Sequence, residues 1–143
     1  EGFKKSPGFV ADTLEMSGCW RDLPAIYDEV VKAIASVPGT LAGSAHQSHA
    51  YVDGACLYFS LRGEVDVDKR ADWYRAAWDA ANAVILRYNA TLSHHHGVGL
   101  LRAPYMAESL GTAFSLLQLT KKMLDPKNLL NPGKLGLSDE VTP

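Results

Sequence analysis

Hydrophobic and polar positions follow two different rhythms along this chain. A spacing of three and four residues between apolar positions, which is typical of one helical face, covers residues 22–37, 67–88 and 104–124. Alternation of apolar and polar residues, which is typical of a strand with one buried face, is clearest over residues 55–61. The pattern therefore predicts three amphipathic helices and a half-buried strand.

Shorter segments between these elements complete the predicted order. Residues 9–16, 44–51 and 91–93 are predicted strands, and Asp53-Gly54 is a hairpin turn signal between the second and third strands. The resulting order is β-α-β-β-α-β with one further helix at the end. This order predicts an α+β domain of the ferredoxin-like type, in which both long helices cover one face of an antiparallel sheet.

The ends of the predicted helices carry sequence signals. Asp22 is placed to cap the first helix, and Pro24 suits its first turn. The last helix ends at Asp125, because the residue before Pro126 avoids helical geometry. Residues 137–143 are predicted to fray. The predicted buried stripes are Leu23, Tyr27, Val30, Ile34 and Val37 in the first helix and Met106, Leu110, Ala113, Leu117 and Leu124 in the last.

The central predicted strand has two unlike faces. Leu57, Phe59 and Leu61 point to the side that the helices cover, and the opposite side carries smaller and more polar groups. That opposite side consists of Cys56, Tyr58 and Ser60 with one parity of the neighbouring strand, either Ser44, His46 and Ser48 or Ala45, Gln47 and His49. A face this polar is either solvated or the wall of a site.

Composition and charge restrict the classes of function. The chain has 143 residues, of which 47% are hydrophobic and 21% are charged, as expected for one globular domain. A net charge of −2 argues against a nucleic-acid partner, and no apolar run reaches the ~20 residues of a membrane span. Two cysteines, too few for a disulfide framework, favour a reduced cytoplasmic protein. With neither an initiator Met nor a signal sequence, we expect a piece of a longer chain.

A run of three histidines, His94, His95 and His96, is the most unusual feature of the sequence. Gly97 and a second glycine follow it and let backbone approach a ligand closely, and we call residues 94–99 the histidine loop. A solvated polar loop is one interpretation. No carboxylate or cysteine is locally spaced to complete a zinc motif, so no metal is predicted. The favoured interpretation is acid–base or charge-stabilising chemistry, because imidazoles titrate near neutrality.

Other candidate groups carry less specific signals. Tyr58 is either a wet sheet tyrosine or a phenol aimed into a site beside the histidine loop. Arg102 and Lys134 suit phosphate or carboxylate groups as well as a solvated surface. Residues 131–134, Asn-Pro-Gly-Lys, predict a type II turn within a structured tail over residues 128–134.

Four stretches of the sequence resemble a known enzyme family. They are GACLYF at residues 54–59, LSHHHGVG at 92–99, ES at 108–109 and DPKN at 125–128. Together they resemble the alkyldihydroxyacetone-phosphate synthase family of FAD-linked oxidases, within the vanillyl-alcohol oxidase superfamily. The triple histidine is the specific motif, and the resemblance extends over nearly the whole chain.

The resemblance implies roles for individual residues. It implies that Tyr58 is the active-site tyrosine and that His94, His95 and His96 form the essential histidine run. It places Thr13 on the strand near the lipid-substrate site. By this likeness Tyr58 moves the substrate proton, while the histidines stabilise charge and shuttle protons next to the flavin.

The resemblance also implies a cofactor and a partner domain. We expect most of the FAD to be held by an N-terminal domain, with residues 1–143 forming the cap, or substrate, domain. Gly97, Asn131 and Lys134 are expected to contribute cofactor contacts, and Arg102 a substrate contact. The substrate is expected to be a small or lipid-like molecule, with the protein at a membrane surface in the lipid case, and a homodimer is one assembly that the family allows.

The implied activity is exchange of an acyl for an alkyl chain on dihydroxyacetone phosphate, without net redox change. Two features depart from this pattern. Residues 1–20 contain no arginine to match the family's active-site arginine, and the Asn-Pro-Gly-Lys tail is more typical of hydroxyacid-oxidising relatives. The alternatives are the cap of an FAD-linked oxidase or dehydrogenase and a stand-alone ferredoxin-like domain that binds a metal or another ligand. In either flavoenzyme case we expect the chain alone to be inactive.

Overall fold

The computed structural model describes residues 6–137 and divides the chain into two compact units. The first unit spans Glu1–His95 and the second His96–Pro143. The predicted fraying of residues 137–143 lies, from residue 138 onward, outside the described part of the chain. Within residues 6–137 no helix is long and apolar enough to cross a membrane.

The first unit is an antiparallel sheet with helices on one face. Its elements are β1 Phe9–Cys19, α1 Leu23–Ala35, β2 Thr40–Ala50, β3 Gly54–Glu64, a 3₁₀ turn Val67–Lys69 and α2 Arg70–Arg87. The spatial order of the strands is β1-β3-β2, and Tyr51 closes the β2–β3 hairpin by donating its backbone N–H to the Gly54 carbonyl at 2.8 Å. A bridge from Ser17 to Thr91 adds a fourth segment outside β1.

The predicted α+β class is therefore confirmed, and the predicted last strand shrinks to one residue. Thr91 bridges Ser17, but Ser93 turns its hydroxyl to the side chain of Glu15 instead of extending the sheet. The core between sheet and helices contains fully buried side chains on both sides. These are Leu14, Met16, Phe59 and Leu61 from the sheet and Ile26, Val30, Ile34 and Ile85 from the helices.

The buried stripe of α1 differs by one position from the predicted stripe. Ile26 is fully buried, whereas the predicted Tyr27 is 38% exposed and stacks on Phe59 with ring centroids 6.4 Å apart. Val37 lies beyond the helix, which ends at Ala35. Tyrosine tolerates such a boundary position because its ring packs while its hydroxyl stays near water.

Asp22 precedes α1 as predicted, but its side chain does not cap the helix. Its backbone is already helical, at φ −98° and ψ −19°, rather than extended as a capping side chain requires. The carboxylate instead accepts a hydrogen bond from Arg21 Nε at 3.1 Å. Pro24 occupies the first turn, as predicted.

A β-bulge in β2 resolves the open question of parity. His46 pairs with Tyr58, but the register shifts between Gln47 and His49, so that His49 pairs with Cys56. A bulge inserts one unpaired residue and thereby reverses which side chains face a given side. Both histidines consequently stand on the same face, which neither of the two predicted parities alone provides.

The prediction of one helix over residues 104–124 is wrong. The second unit contains a short α3, Met106–Leu110, and α4, Thr112–Leu124, with 3₁₀ turns at Ala103–Tyr105 and Lys134–Gly136. Gly111 separates the two helices at φ 53° and ψ −131°, a conformation open almost only to glycine. Apolar periodicity passes through this break because it does not register backbone geometry.

The predicted apolar stripe of the last helix is also wrong in part. Met106 is buried, but Leu124 is 78% exposed and Gln118 is the buried residue of α4. The tail behaves as predicted at Gly133, whose φ of 74° and ψ of 4° match the third position of a type II turn. The Lys134 amide closes this turn on the Asn131 carbonyl at 3.4 Å.

Candidate functional site

The sheet of the first unit has one face that α1 and α2 leave uncovered, and we call it the open face. Strand register fixes its membership, because paired residues point to the same side. Across the three strands its rows are Ser17, Cys56 and His49; Glu15, Tyr58 and His46; Thr13, Ser60 and Ser44; and Ala11, Arg62 and Ala42.

Tyr58 stands in the middle of the open face and is half-buried. The hydroxyl of Thr13 donates to its phenol oxygen at 3.1 Å. Two imidazoles flank the phenol ring, that of His46 with a centroid distance of 5.2 Å and that of His95 at 6.0 Å. The structure thus brings together the predicted residues Thr13, Tyr58 and His95.

Glu15 holds the start of the histidine loop against β1. Its side chain is fully buried directly beside Tyr58 in the strand pairing. Its carboxylate accepts hydrogen bonds from the Ser93 hydroxyl at 2.7 Å, from the His95 backbone N–H at 3.3 Å and from the His94 backbone N–H. A buried carboxylate needs such donors, because an unpaired charge away from water is very costly.

The imidazoles of the loop contact one another and the hairpin. His94 Nδ1 lies 2.9 Å from His95 Nδ1, and His94 Nε2 lies 2.7 Å from the Tyr51 hydroxyl. The ring of His49 lies 4.8 Å from that of His94 and 5.4 Å from that of His95. A hydrogen bond between the two Nδ1 atoms requires that one of them carries a proton and the other accepts it. The tautomers of His94 and His95 are therefore linked. The arrangement is suited to moving protons near Tyr58.

Cys56 lies within the open face beneath these imidazoles. It is fully buried, and burial raises the pKa of its thiol, which keeps the thiol protonated near neutral pH. One donor atom from each of His49, Cys56, His94 and His95 lies within 4.8 Å of the other three. Three imidazoles and a thiol are also a ligand set that divalent zinc accepts.

The remaining predicted residues lie in the second unit. His96 and Gly97 are exposed, and Gly97 has φ 76°. Arg102 is only 5% exposed and donates from Nη1 to the Gly97 carbonyl at 3.1 Å, so it braces the backbone of the histidine loop. Asn131 and Lys134 are exposed at the two ends of the Asn-Pro-Gly-Lys turn.

Sequence reasoning missed two members of this group. The sequence pattern does not mark Glu15 as a site residue, although its alternation with Thr13 and Ser17 places a carboxylate on the polar side of a strand. The pattern marks Tyr51 only as the end of a predicted strand. Neither signal is specific without the strand register, because the partner of each residue is distant in the sequence.

The family model of FAD linked oxidases, C-terminal domain, matches residues 1–135. The chain belongs to this family. The family assignment confirms the resemblance inferred from the histidine and tyrosine motifs, and it implies FAD-dependent relatives.

Proteins similar to this FAD-linked oxidase C-terminal domain include a synthase, an oxidoreductase and a dehydrogenase. Alkyldihydroxyacetonephosphate synthase of Trypanosoma brucei brucei is 33% identical over 93% of this chain. The FAD-linked oxidoreductase YgcU of Escherichia coli K12 is 31% identical over 90%, and D-2-hydroxyglutarate dehydrogenase of Pseudomonas putida is 31% identical over 98%. The chain spans 22%, 28% and 15% of these relatives, respectively.

A solved structure shows the same fold. A chain of alkyldihydroxyacetonephosphate synthase superposes with a TM-score of 0.58 over 90% of this chain and 21% of its own length, at 22% sequence identity. The FAD-linked oxidase C-terminal fold is therefore shared with that synthase.

Proposed function

We propose that this chain is the substrate domain of an FAD-dependent enzyme that resembles alkyldihydroxyacetone-phosphate synthase. The reaction is exchange of an acyl for an alkyl chain on dihydroxyacetone phosphate. The observation that carries the proposal is the placement of Tyr58 between His46 and His95 on a face that the helices leave uncovered. A phenol flanked by imidazoles is a proton-transfer group of the kind that carbonyl chemistry needs.

The open face fits a flavin placed against it. It offers hydroxyls, a phenol and imidazoles from three strands, and neither α1 nor α2 covers these polar groups. FAD, when bound, would supply an electrophilic ring system beside these groups. Most of the FAD is held by an N-terminal domain of the longer protein, with Gly97, Asn131 and Lys134 contributing contacts from this chain.

The candidate residues have separate tasks in this proposal. Tyr58 transfers the substrate proton, and Thr13, which donates to the phenol oxygen, keeps that oxygen oriented. His94, His95 and His96 stabilise charge and pass protons onward. Arg102 holds the loop backbone and contributes to substrate binding.

The test compares Tyr58→Phe with the matched variant Tyr27→Phe in the longer flavoprotein. Tyr58→Phe removes only the phenol oxygen, so kcat falls by about 10²–10⁴, the range of one acid–base group. Tyr27 lies on α1 away from the open face, and its variant keeps normal kcat. Equal kcat in both variants contradicts the proposed role of Tyr58.

Oxidation of an alcohol or hydroxyacid is the second candidate reaction. The observations that favour it are the similarity to D-2-hydroxyglutarate dehydrogenase and the Asn-Pro-Gly-Lys turn at residues 131–134. Alkyl exchange proceeds without an electron acceptor, whereas oxidation bleaches the flavin absorbance when oxygen is excluded. Anaerobic spectra with dihydroxyacetone-phosphate esters and with hydroxyacids therefore separate the two reactions.

A metal-binding domain is the third candidate, favoured by the cluster of His49, Cys56, His94 and His95. Zinc binding deprotonates the Cys56 thiol and releases protons. The test is calorimetric titration of the chain with zinc in two buffers of different ionisation enthalpy. Cys56→Ser then lowers zinc affinity at least 10-fold and Cys19→Ser, at an exposed position, does not. Equal affinity in both variants excludes this cluster as a zinc site.

Location and assembly complete the proposal. Both cysteines are free thiols, which favours a reducing compartment such as the cytoplasm. A lipid-like substrate places the enzyme at a membrane surface, and a homodimer is the proposed assembly. Sedimentation of the purified longer protein with and without lipid vesicles tests both statements.

A further inference from the structure

The open face continues along β3 beyond the imidazoles and Tyr58. Its next row contains only hydroxyl side chains, with Ser60 of β3 between Thr13 and Ser44 on the neighbouring strands. The row after that contains one cation, with Arg62 between Ala11 and Ala42. From Cys56 toward Arg62 along β3, the polar groups of this face therefore change from imidazoles to hydroxyls and then to a guanidinium.

Arg62 is exposed, and its neighbours leave its charged group accessible. Ala11 and Ala42 end at Cβ, so neither side chain covers the guanidinium from the flanking strands. Among residues 6–137, no hydrogen bond or ion pair engages the side chains of Arg62, Ser60 or Ser44. The nearest carboxylate along the strand, Glu64, accepts a hydrogen bond from Ser6 instead.

The spacing suits a small bifunctional molecule. Tyr58 and Arg62 are four positions apart on the strand, which is about 13–14 Å between their Cα atoms. Both side chains are long, and each can lean along the strand toward Ser60 between them. A molecule with a reacting carbon at one end and an anionic group a few bonds away can touch both.

We propose that Arg62, Ser60 and Ser44 form an anion subsite that binds the phosphate or carboxylate end of the substrate. The inference rests on the proposed function, because it sets the reacting end at Tyr58. A planar guanidinium grips two oxygens of either anion in parallel, and flanking hydroxyls donate to the remaining oxygen. A phosphate belongs to a dihydroxyacetone-phosphate substrate and a carboxylate to a hydroxyacid, so the subsite also decides between the two reactions.

Binding is measured on the 143-residue chain by NMR, at constant ionic strength. The probes are dihydroxyacetone phosphate, inorganic phosphate and glycolate, and the readouts are the Arg62 Nε–Hε signal and the amides of β3. We expect dihydroxyacetone phosphate to shift the Arg62 and Ser60 signals in a saturable way. Arg62→Met, which keeps length and loses charge, weakens that binding about 10- to 100-fold, as loss of a charge-assisted pair predicts.

Two further variants separate a built subsite from general charge attraction. Arg62→Lys keeps the charge but loses the two-pronged geometry, so its affinity lies between those of wild type and Arg62→Met. Arg75→Met removes an exposed arginine on α2 and leaves affinity unchanged. Equal weakening by Arg62→Met and Arg75→Met overturns the subsite, as does the absence of any saturable shift at Arg62.

The outcomes also keep the subsite apart from the proposed reaction. Tight binding of dihydroxyacetone phosphate with weak glycolate binding supports a phosphate substrate, and the reverse supports a hydroxyacid. Binding is measured without flavin or turnover, so a subsite that binds while Tyr58→Phe leaves kcat unchanged survives the failure of the proposed chemistry. Normal binding by Arg62→Met with a slow Tyr58→Phe enzyme removes the subsite alone.

Discussion

At the scale of single residues, Glu15 ties the chemistry of the histidines to the sheet. Its carboxylate accepts two backbone N–H groups and one hydroxyl while fully buried, so it restrains the loop backbone rather than one imidazole. Backbone restraint sets the positions of His94 and His95 together. The position from which the His95 imidazole approaches Tyr58 is therefore set from the β1 side of the sheet.

Glu15→Gln tests this restraint. The amide NH₂ of glutamine faces donors where the carboxylate accepted, so we expect a loss of about 1.5–3 kcal/mol in the free energy of unfolding, the usual worth of hydrogen bonds to a charged group. Urea unfolding measures it.

The matched control is Glu29→Gln, which changes a partly exposed carboxylate that accepts from Arg87 Nη2 and from the Tyr88 hydroxyl on the helical side. We expect a smaller loss there than at Glu15, because solvent reaches this carboxylate and screens its pairs. An equal loss at the two positions argues against a special role for Glu15.

Predictability from sequence at this scale depends on how local the signal is. Tyr58 and the histidine run are visible because alternation and an unusual tripeptide mark them directly. Glu15 and Tyr51 gain meaning only through partners 79 and 43 positions away, which no local pattern encodes. Whether Arg102 contacts substrate stays a prediction, and its observed contact is with the Gly97 carbonyl.

At the scale of elements, Gly111 breaks a helix that the apolar periodicity predicts to be continuous. Gly111→Ala puts a Cβ at φ 53° and ψ −131°, which costs about 1–3 kcal/mol of backbone strain. A continuous helix over residues 104–124 predicts the opposite sign, because alanine stabilises a helix interior by about 1 kcal/mol relative to glycine. Thermal unfolding of the variant distinguishes the two, since only the broken helix lowers the midpoint.

Ala113→Gly is the control for this element. It lies in the first turn of α4 and is exposed, so glycine costs less there than the about 1 kcal/mol of a helix interior. Destabilisation by both Gly111→Ala and Ala113→Gly matches the structure. Stabilisation by Gly111→Ala supports a continuous helix over residues 104–124 instead.

The turn after α4 depends on one carboxylate. Asp125 accepts from the Leu129 and Leu130 backbone N–H groups at 2.9 and 2.8 Å and from Lys121, and chiefly Lys121 lowers its pKa from 3.8 to about 2. A lowered pKa means that its stabilisation is complete above about pH 4–5 and is lost as pH falls toward 2. The amide signals of Leu129 and Leu130 therefore shift with a midpoint near 2.

Two lysine variants make this titration specific. Lys121→Met removes the main cause of the lowered pKa, so the amide midpoint rises toward 3.8. Lys122→Met changes the adjacent exposed lysine and leaves the midpoint in place. A midpoint that both variants move equally points to general charge rather than the Lys121–Asp125 pair.

Elements with strong two-sided patterns could be predicted from the sequence, and their exceptions have local causes. The β3 face of Leu57, Phe59 and Leu61 is buried as the alternation indicates. The rotation of the α1 stripe and the β2 bulge arise from packing and pairing across the sheet, which a single segment does not contain. The α4 stripe fails because apolar spacing shows which residues share a helical face, not what covers that face.

At the scale of the whole molecule, the relatives are several times longer than this chain, which spans 22% of the trypanosomal synthase. We expect the isolated chain to bind no stoichiometric FAD, because the proposed cap contributes only a few contacts to a cofactor held elsewhere. Ultrafiltration with FAD and the visible absorbance of the retained protein measure this. A yellow retained fraction with one flavin per chain contradicts the proposed division into domains.

Because of the bulge in β2, the set of side chains on the open face depends on how many residues this strand contains rather than on which residues they are. Replacing Ser48 leaves His46 and His49 on one side, because the extra position survives any substitution. Deleting Ser48 restores simple alternation and turns one of the two imidazoles toward the helices. Among relatives of this domain, insertions and deletions in that strand are consequently a better guide to altered chemistry than the residue found at any one place.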